Sequence, residues 1–276
     1  MSKSVKRLID QFVPENYNLS ILLDPEAMKF SGKVIVTGKK IGRPSKRLTF
    51  HQSEIKITSG KITHQSKNGI KEIEIARVNQ HNSLQEVRLH SDELIYPGHY
   101  TVEMDFEAFI NDNMNGLYPC YFKHDGQDKK LLATQFESHH ARQVFPCIDE
   151  PTAKATFDLA VTAPKIGTVI SNMPAKSTKD IGNNLQLTKF DTTPIMSTYL
   201  LAFVWGEIHN VESQTKNGVV VRTWGTVAQD KSSLKYALNE AVKIQEYFEE
   251  YFDTPFPLPK CDHIALPDFD AGAMEN

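Results

Sequence analysis

Cysteine is scarce in this 276-residue chain: Cys120, Cys147 and Cys261 are an odd number, and no two of them form a C-x-x-C pair. That pattern excludes a disulfide framework and a structural zinc knuckle, so the thiols are expected to be reduced and mostly buried. Charge of one sign is lacking as well. The 31 basic and 34 acidic residues leave a formal net charge of −3 with no basic block, and nucleic acid is not an expected partner. No apolar run approaches a membrane span, and residues 1–17 hold no apolar stretch long enough for a secretory signal. A soluble, cytoplasmic protein with no membrane partner is the expectation. Among the ten histidines no pair stands four apart with glutamate after the first, so H-E-x-x-H is absent. Two imidazoles therefore cannot share a helix face around a metal, and this chain is expected to bind none. His139 and His140 are adjacent, which in a strand sends them to opposite faces, and they are read as ordinary side chains.

What the chain does have is apolar content of 40%, enough for a sizeable core, and a period of two from residue 17 to about 206. Tyr17, Leu19, Ile21 and Leu23 alternate with polar partners, as do Tyr100, Val102, Met104 and Phe106, and Phe157, Leu159 and Val161 repeat the pattern. Turn signals at Ser31-Gly32, Ser59-Gly60, Asn68-Gly69, Pro97-Gly98 and Asn183-Asn184 separate these runs. Many short antiparallel strands in a sandwich or curved open sheet are predicted. The apolar run Ser197-Thr198-Tyr199-Leu200-Leu201-Ala202-Phe203-Val204-Trp205 predicts a strand covered on both faces, with a domain boundary near Gly206.

Beyond that boundary helical spacing takes over. A strand at 219–223 precedes a helix capped by Asp230, with apolar positions Leu234, Ala237, Leu238, Ala241, Phe248 and Phe252. Asp253-Thr254-Pro255 ends the helix, and His263-Ile264-Ala265-Leu266 predicts a further strand. The organisation is thus a β-rich domain at 1–206 and, at 207–276, the incomplete start of an α+β domain, since one helix and two or three strands bury little core alone.

Three segments carry a resemblance. They are Asn115-Gly116-Leu117-Tyr118; the run Gln135-Phe136-Glu137-Ser138-His139-His140-Ala141-Arg142-Gln143-Val144-Phe145-Pro146-Cys147-Ile148-Asp149-Glu150-Pro151; and Gly272-Ala273-Met274-Glu275-Asn276. Together they resemble the aminopeptidase N family of zinc metallopeptidases. The resemblance implies a saddle-like antiparallel β N-terminal domain followed by the first elements of a thermolysin-like catalytic domain. It also implies an enzyme that, when complete, removes N-terminal residues from peptides with zinc, lowering the pKa of a metal-bound water towards 7. The family's zinc helix, its downstream glutamate and its oxyanion tyrosine have no counterpart here, so this chain is expected to be inactive alone and to hold no catalytic residue. Its partners are then a peptide's N-terminus and the remainder of the catalytic domain.

By the resemblance, Glu137 and Glu275 anchor the substrate's α-ammonium, the main chain at Gly272 and Ala273 pairs with the peptide as an added strand, and Met274 belongs to the same substrate-binding set. The chemistry suits those residue types. Two carboxylates meeting one ammonium make charge-assisted hydrogen bonds, while an internal amide would leave both acids unpaired. Glycine, without a Cβ, keeps the approach open. Arg142, Asp149 and Glu150 are read as fixing an irregular loop, and Tyr118 stands open between lining a specificity pocket and packing.

A reading from another class is a non-catalytic β-rich binding or interaction module. Sequencing past Asn276 is expected to reveal H-E-x-x-H within a few dozen codons; a stop codon there favours the binding module.

Overall fold

The computed structural model describes residues 7–66 and 69–276. The N-terminal strands are β1 (Phe12–Asp24), β2 (Lys29–Lys40), β3 (Ser45–His51), β4 (Ile55–Ser66), β5 (Gly69–Ile73), β6 (Arg77–His81), β7 (Glu86–Ile95) and β8 (Gly98–Phe109). There follow β9 (Gly116–His124), β10 (Gln127–Gln135), β11 (Thr156–Pro164), β12 (Thr168–Ser171), β13 (Ala175–Gly182), β14 (Leu185–Phe190) and β15 (Phe203–Gly206). The C-terminal part is β16 (Ile208–Gln214), β17 (Val220–Thr226), α1 (Lys231–Tyr251) and β18 (Lys260–Ile264). An eight-stranded sheet runs β13-β14-β11-β1-β2-β8-β4-β5, and a four-stranded one β12-β15-β10-β9. Two three-stranded sheets, β3-β7-β6 and β16-β17-β18, complete the fold, which is mainly β.

Alternation builds the largest sheet. Tyr17, Leu19, Ile21 and Leu23 on β1 and Tyr100, Val102, Met104 and Phe106 on β8 all lie on the buried face. They share one core with Leu48, Phe50, Val87 and Leu89 of the small β3-β7-β6 sheet, and Phe12 meets Phe50 edge-on at 5.4 Å. Burying each large side chain stabilises the fold by about 1.5–3 kcal/mol. The other face keeps its charges in water, where Lys33 pairs with Glu103 at 3.0 Å and Lys56 with Glu107 at 2.7 Å. Exposed pairs of this kind add little stability.

Several strands are longer than expected, and one central pair is parallel. β1 has 13 residues and β2, β4 and β8 have 12 each. Ser31-Gly32 and Ser59-Gly60 are therefore inside strands rather than at turns. A Cβ on Gly32 would stand 2.7 Å from Cζ of Phe106 and 2.6 Å from the Ser20 carbonyl oxygen. Glycine there admits a phenyl ring from the neighbouring strand; it does not reverse the chain. β1 pairs with β11 in parallel, Asn16 opposite Thr156 through Leu22 opposite Thr162. Asn183 and Asn184, at φ of 50° and 60°, do make the two-residue β13–β14 turn. Pro97 also precedes a strand start at Gly98, whereas Asn68 of the Asn68-Gly69 signal lies outside the described residues.

Only the end of the run at 197–205 is a strand. Residues Thr198–Leu200 form a 3-10 turn, and β15 begins at Phe203, buried throughout between β12 and β10. Thr198 leaves the ladder because its hydroxyl donates to Asp149 Oδ1 at 2.8 Å.

In the C-terminal part, β16 and β17 are antiparallel, and β17 pairs in parallel with β18. Asp230 caps α1 as expected, its Oδ1 accepting from Ser232 N at 2.7 Å. Of the expected apolar face only Leu234 and Leu238 are fully buried, while Phe248 and Phe252 are exposed. The 21-residue helix is about 31 Å long and packs on β16 and β17.

Tyr17 sits at the centre of the molecule, stacked on Phe157 at 5.1 Å and edge-on to Phe145 at 5.9 Å. Its hydroxyl oxygen accepts from the buried Ile148 N at 3.0 Å. In Tyr17→Phe that N–H loses its partner. Urea unfolding should show a loss of about 1–3 kcal/mol, and a loss below about 0.5 kcal/mol would mean that Ile148 is satisfied elsewhere.

Candidate substrate-binding site

The segment after β10 is irregular, and buried aromatics hold it. Phe136 and Phe145 are fully buried and meet edge-on at 6.2 Å, and the Phe136 carbonyl accepts from His140 N at 2.8 Å. Between them Glu137, Ser138 and His139 are exposed. Phe136 carries no chemistry, but it pins the residue beside the candidate anchor.

A buried charge network locks the rest of this loop. Asp149 is 3% exposed. Its Oδ2 accepts from Arg142 Nε at 3.0 Å and Arg142 N at 3.2 Å, and its Oδ1 accepts from Thr198 Oγ1. Arg142 also donates from Nη2 to the Asp149 carbonyl at 3.1 Å and from Nη1 to Gln85 Oε1 at 3.0 Å. Asp149 N donates to His51 Nδ1 at 3.0 Å, and Glu150 Oε1 accepts from Leu8 N at 2.7 Å. All three charged residues are engaged within the loop or with segments packed against it. Burial first, then the positive charge of Arg142, then His139 push His51 from its ordinary 6.5 down to about 3, so it is neutral.

His139 and His140 do not diverge as adjacent strand residues would. They sit in a turn, and their rings stack at 4.8 Å. Ser138 Oγ and His139 Nδ1 are 2.8 Å apart. Among the described residues no three His, Cys, Asp or Glu side chains gather where an ion could sit. Cys261 Sγ and His263 Nε2 are 3.5 Å apart, but burial raises the Cys261 thiol away from the thiolate a metal needs.

Gly116 opens β9 opposite Gln135, at a φ of 67°, and a Cβ there would stand 2.7 Å from Gln143 Oε1. The side-chain oxygen of Gln135 is buried without a partner among the described residues, while the Gln143 side chain meets the His140 ring. A buried unpaired oxygen is costly unless a donor reaches it. Tyr118 is fully buried, and its hydroxyl donates to the Asp268 carbonyl at 3.2 Å, which answers the open question about it in favour of packing.

After β18 the chain bends through residues 267–272, and residues 273–276 run on unpaired with any strand. Gly272, Ala273, Met274 and Asn276 line a cavity of about 630 Å³ whose opposite wall includes Thr134 and Asn172. It lies between the four-stranded sheet and the β16-β17-β18 sheet. Nothing stands within 4 Å of where a Cβ on Gly272 would be, and Asn276 Nδ2 donates to the Leu200 carbonyl at 3.3 Å. The cavity lining brings residues 272–274 together with Thr134, three residues before Glu137; it includes neither Glu137 nor Glu275. Both carboxylates are exposed, and among the described residues neither has an ion pair or a side-chain hydrogen bond.

Known proteins resemble this chain along its whole length. A family model for the peptidase M1 N-terminal domain matches residues 13–200, and one for the peptidase family M1 domain matches residues 236–276. An aminopeptidase N of Lactococcus lactis subsp. lactis is 41% identical over 100% of this chain and 31% of its own length. Aminopeptidase M1 of Arabidopsis thaliana is 34% identical over 99% of this chain and 31% of its own. The chain thus spans under a third of the length of these relatives.

Neutral His51 has a consequence for acid stability. The unfolded chain takes up a proton near pH 6.5 that the folded chain refuses until about 3, so this contribution is full above 6.5 and is lost as pH falls through that window. In His51→Asn the amide oxygen can accept the same N–H without titrating. Unfolding followed between about pH 7 and pH 4 should show a shallower loss for the variant than for the wild type; equal slopes would remove His51 from the acid response.

Proposed function

Because the chain belongs to the peptidase M1 family, we propose that it is the N-terminal part of a zinc-dependent aminopeptidase and supplies recognition of the substrate's leading amine. The observation that carries this is the pair of exposed carboxylates, Glu137 and Glu275, which have no ion pair or side-chain hydrogen bond among the described residues. Gly272, Ala273 and Met274 line one cavity, whose lining also includes Thr134, three residues before Glu137, and Gly272 has open space around it. We assign the β-rich domain to residues 1–206 and the opening of the catalytic domain to 207–276, where strand pairing passes from β15 to the separate β16-β17-β18 sheet. The three unpaired thiols support a cytoplasmic setting.

Charge and solvent together define what these residues do. A peptide ammonium between two carboxylates satisfies both acids, whereas an internal amide supplies no charge and leaves them partly desolvated. While both remain exposed, each pairing contributes less than about 1 kcal/mol, because water competes for the ions. Recognition therefore strengthens only when the peptide and the covering parts of the enzyme exclude that water. The main chain at 272–274 adds hydrogen bonds that fix the peptide's direction.

The test uses the full-length polypeptide that carries this sequence, assayed on aminoacyl-4-nitroanilides. Glu137→Gln and Glu275→Gln should each lower kcat/KM by about a hundredfold or more, and N-acetylated substrates should be refused. The 276-residue chain alone, with added zinc, should show no turnover. Full activity in both variants would sink the amine-recognition role, and turnover by the isolated chain that Glu275→Ala abolishes would overturn its inactivity.

A further inference from the structure

The four-stranded sheet ends at β9, whose outer edge has no strand beside it among the described residues. An edge strand presents unpaired N–H groups, and something must satisfy or cover them. Here Asp268 does so, its Oδ2 accepting from Tyr121 N at 2.8 Å. The same residue's main-chain carbonyl accepts from Tyr118 Oη at 3.2 Å and from Cys120 Sγ at 3.3 Å. Tyr118 and Cys120 are both fully buried, so these donors come from the rigid core. Two residues earlier, Leu266 packs on the cluster that contains them. Asp268 is therefore held through side chain and main chain at once, four residues before Gly272. At the other end Asn276 Nδ2 donates to the Leu200 carbonyl, and Gly272 has open space around it.

We propose that Asp268 is a positioning residue, clipping the segment 268–276 onto the edge of β9 so that the main chain at 272–274 meets the peptide in a preset place. This rests on the aminopeptidase reading above. The physical reason is entropic. A segment without strand partners that must be ordered by each incoming peptide charges that ordering against affinity, and a clip made in advance removes the charge. A carboxylate suits the task, since an N–H···carboxylate bond is stronger than one between neutral groups. Asp268 touches no substrate in this role.

The test is made in the full-length polypeptide. Amide hydrogen exchange across residues 268–276 should quicken in Asp268→Ala, with the melting temperature of the fold little changed. KM for aminoacyl-4-nitroanilides should rise about tenfold while kcat moves less than about threefold. Asp268→Asn keeps an acceptor for Tyr121 N and should return KM to within about threefold of wild type. Tyr118→Phe, which removes one of the two donors to the carbonyl, should also speed exchange. Unchanged exchange in Asp268→Ala overturns the clip. Faster exchange with equal falls in kcat and kcat/KM, or no rescue by asparagine, overturns the positioning role. A wild-type polypeptide that hydrolyses no aminoacyl substrate overturns the aminopeptidase reading itself and the positioning role with it, whatever the exchange data show about the clip.

Discussion

A carboxylate buried to 3% exposure needs partners, and the way Asp149 obtains them organises the middle of this protein. Arg142, Thr198 and His51 come from three places in the chain, the loop after β10, the turn before β15 and the end of β3. Removing any one would leave polar groups unsatisfied in a core where Cys147, Ile148 and Phe145 are fully buried. The network thus sets the path of residues 136–151, and with it the point where Glu137 leaves the core for solvent. The neutrality of His51 belongs to the same arrangement. A guanidinium nearby and little water around the ring favour an imidazole that accepts a main-chain N–H.

The second half of the candidate site is held differently. Between the four-stranded sheet and the β16-β17-β18 sheet, polar ties add to an apolar cluster that includes Tyr118, Leu131, Ile208 and Trp224. Lys260 Nζ donates to the Ser171 carbonyl at 2.6 Å and pairs with Asp262, whose Oδ1 accepts from Trp224 Nε1 at 3.1 Å. Lys129 pairs with Glu207 at 2.6 Å. Together with Asp268 on β9 these contacts leave the cavity bounded by both sheets and lined by Gly272, Ala273, Met274 and Asn276.

Much of the fold was legible. Alternation at 17–23 and 100–106 marks buried faces because a pleated strand sends successive side chains to opposite sides, and Asp230 marks a helix start because its oxygen can satisfy a first-turn N–H. The misread positions share a cause. Gly32 and Gly60 carry the same local signal whether the chain reverses or a neighbouring strand's side chain needs room, and only the partner strand distinguishes the two. His139 and His140 looked divergent under the assumption of a strand, and they stack because that stretch is a turn.

From the sequence alone came the residue types of the candidate site, the carboxylates Glu137 and Glu275 and the glycine beside them, together with the family they point to. A string of residues is enough for that, because chemistry at one position and its spacing along the chain are local properties. Tertiary structure decided which sheet edges meet and that β1 and β11 run parallel. It also decided that Asp268 hangs from Tyr121, 147 residues away in the chain. Those are pairings across long separations, chosen by which buried polar groups find partners and which apolar faces fit, and no local pattern encodes them.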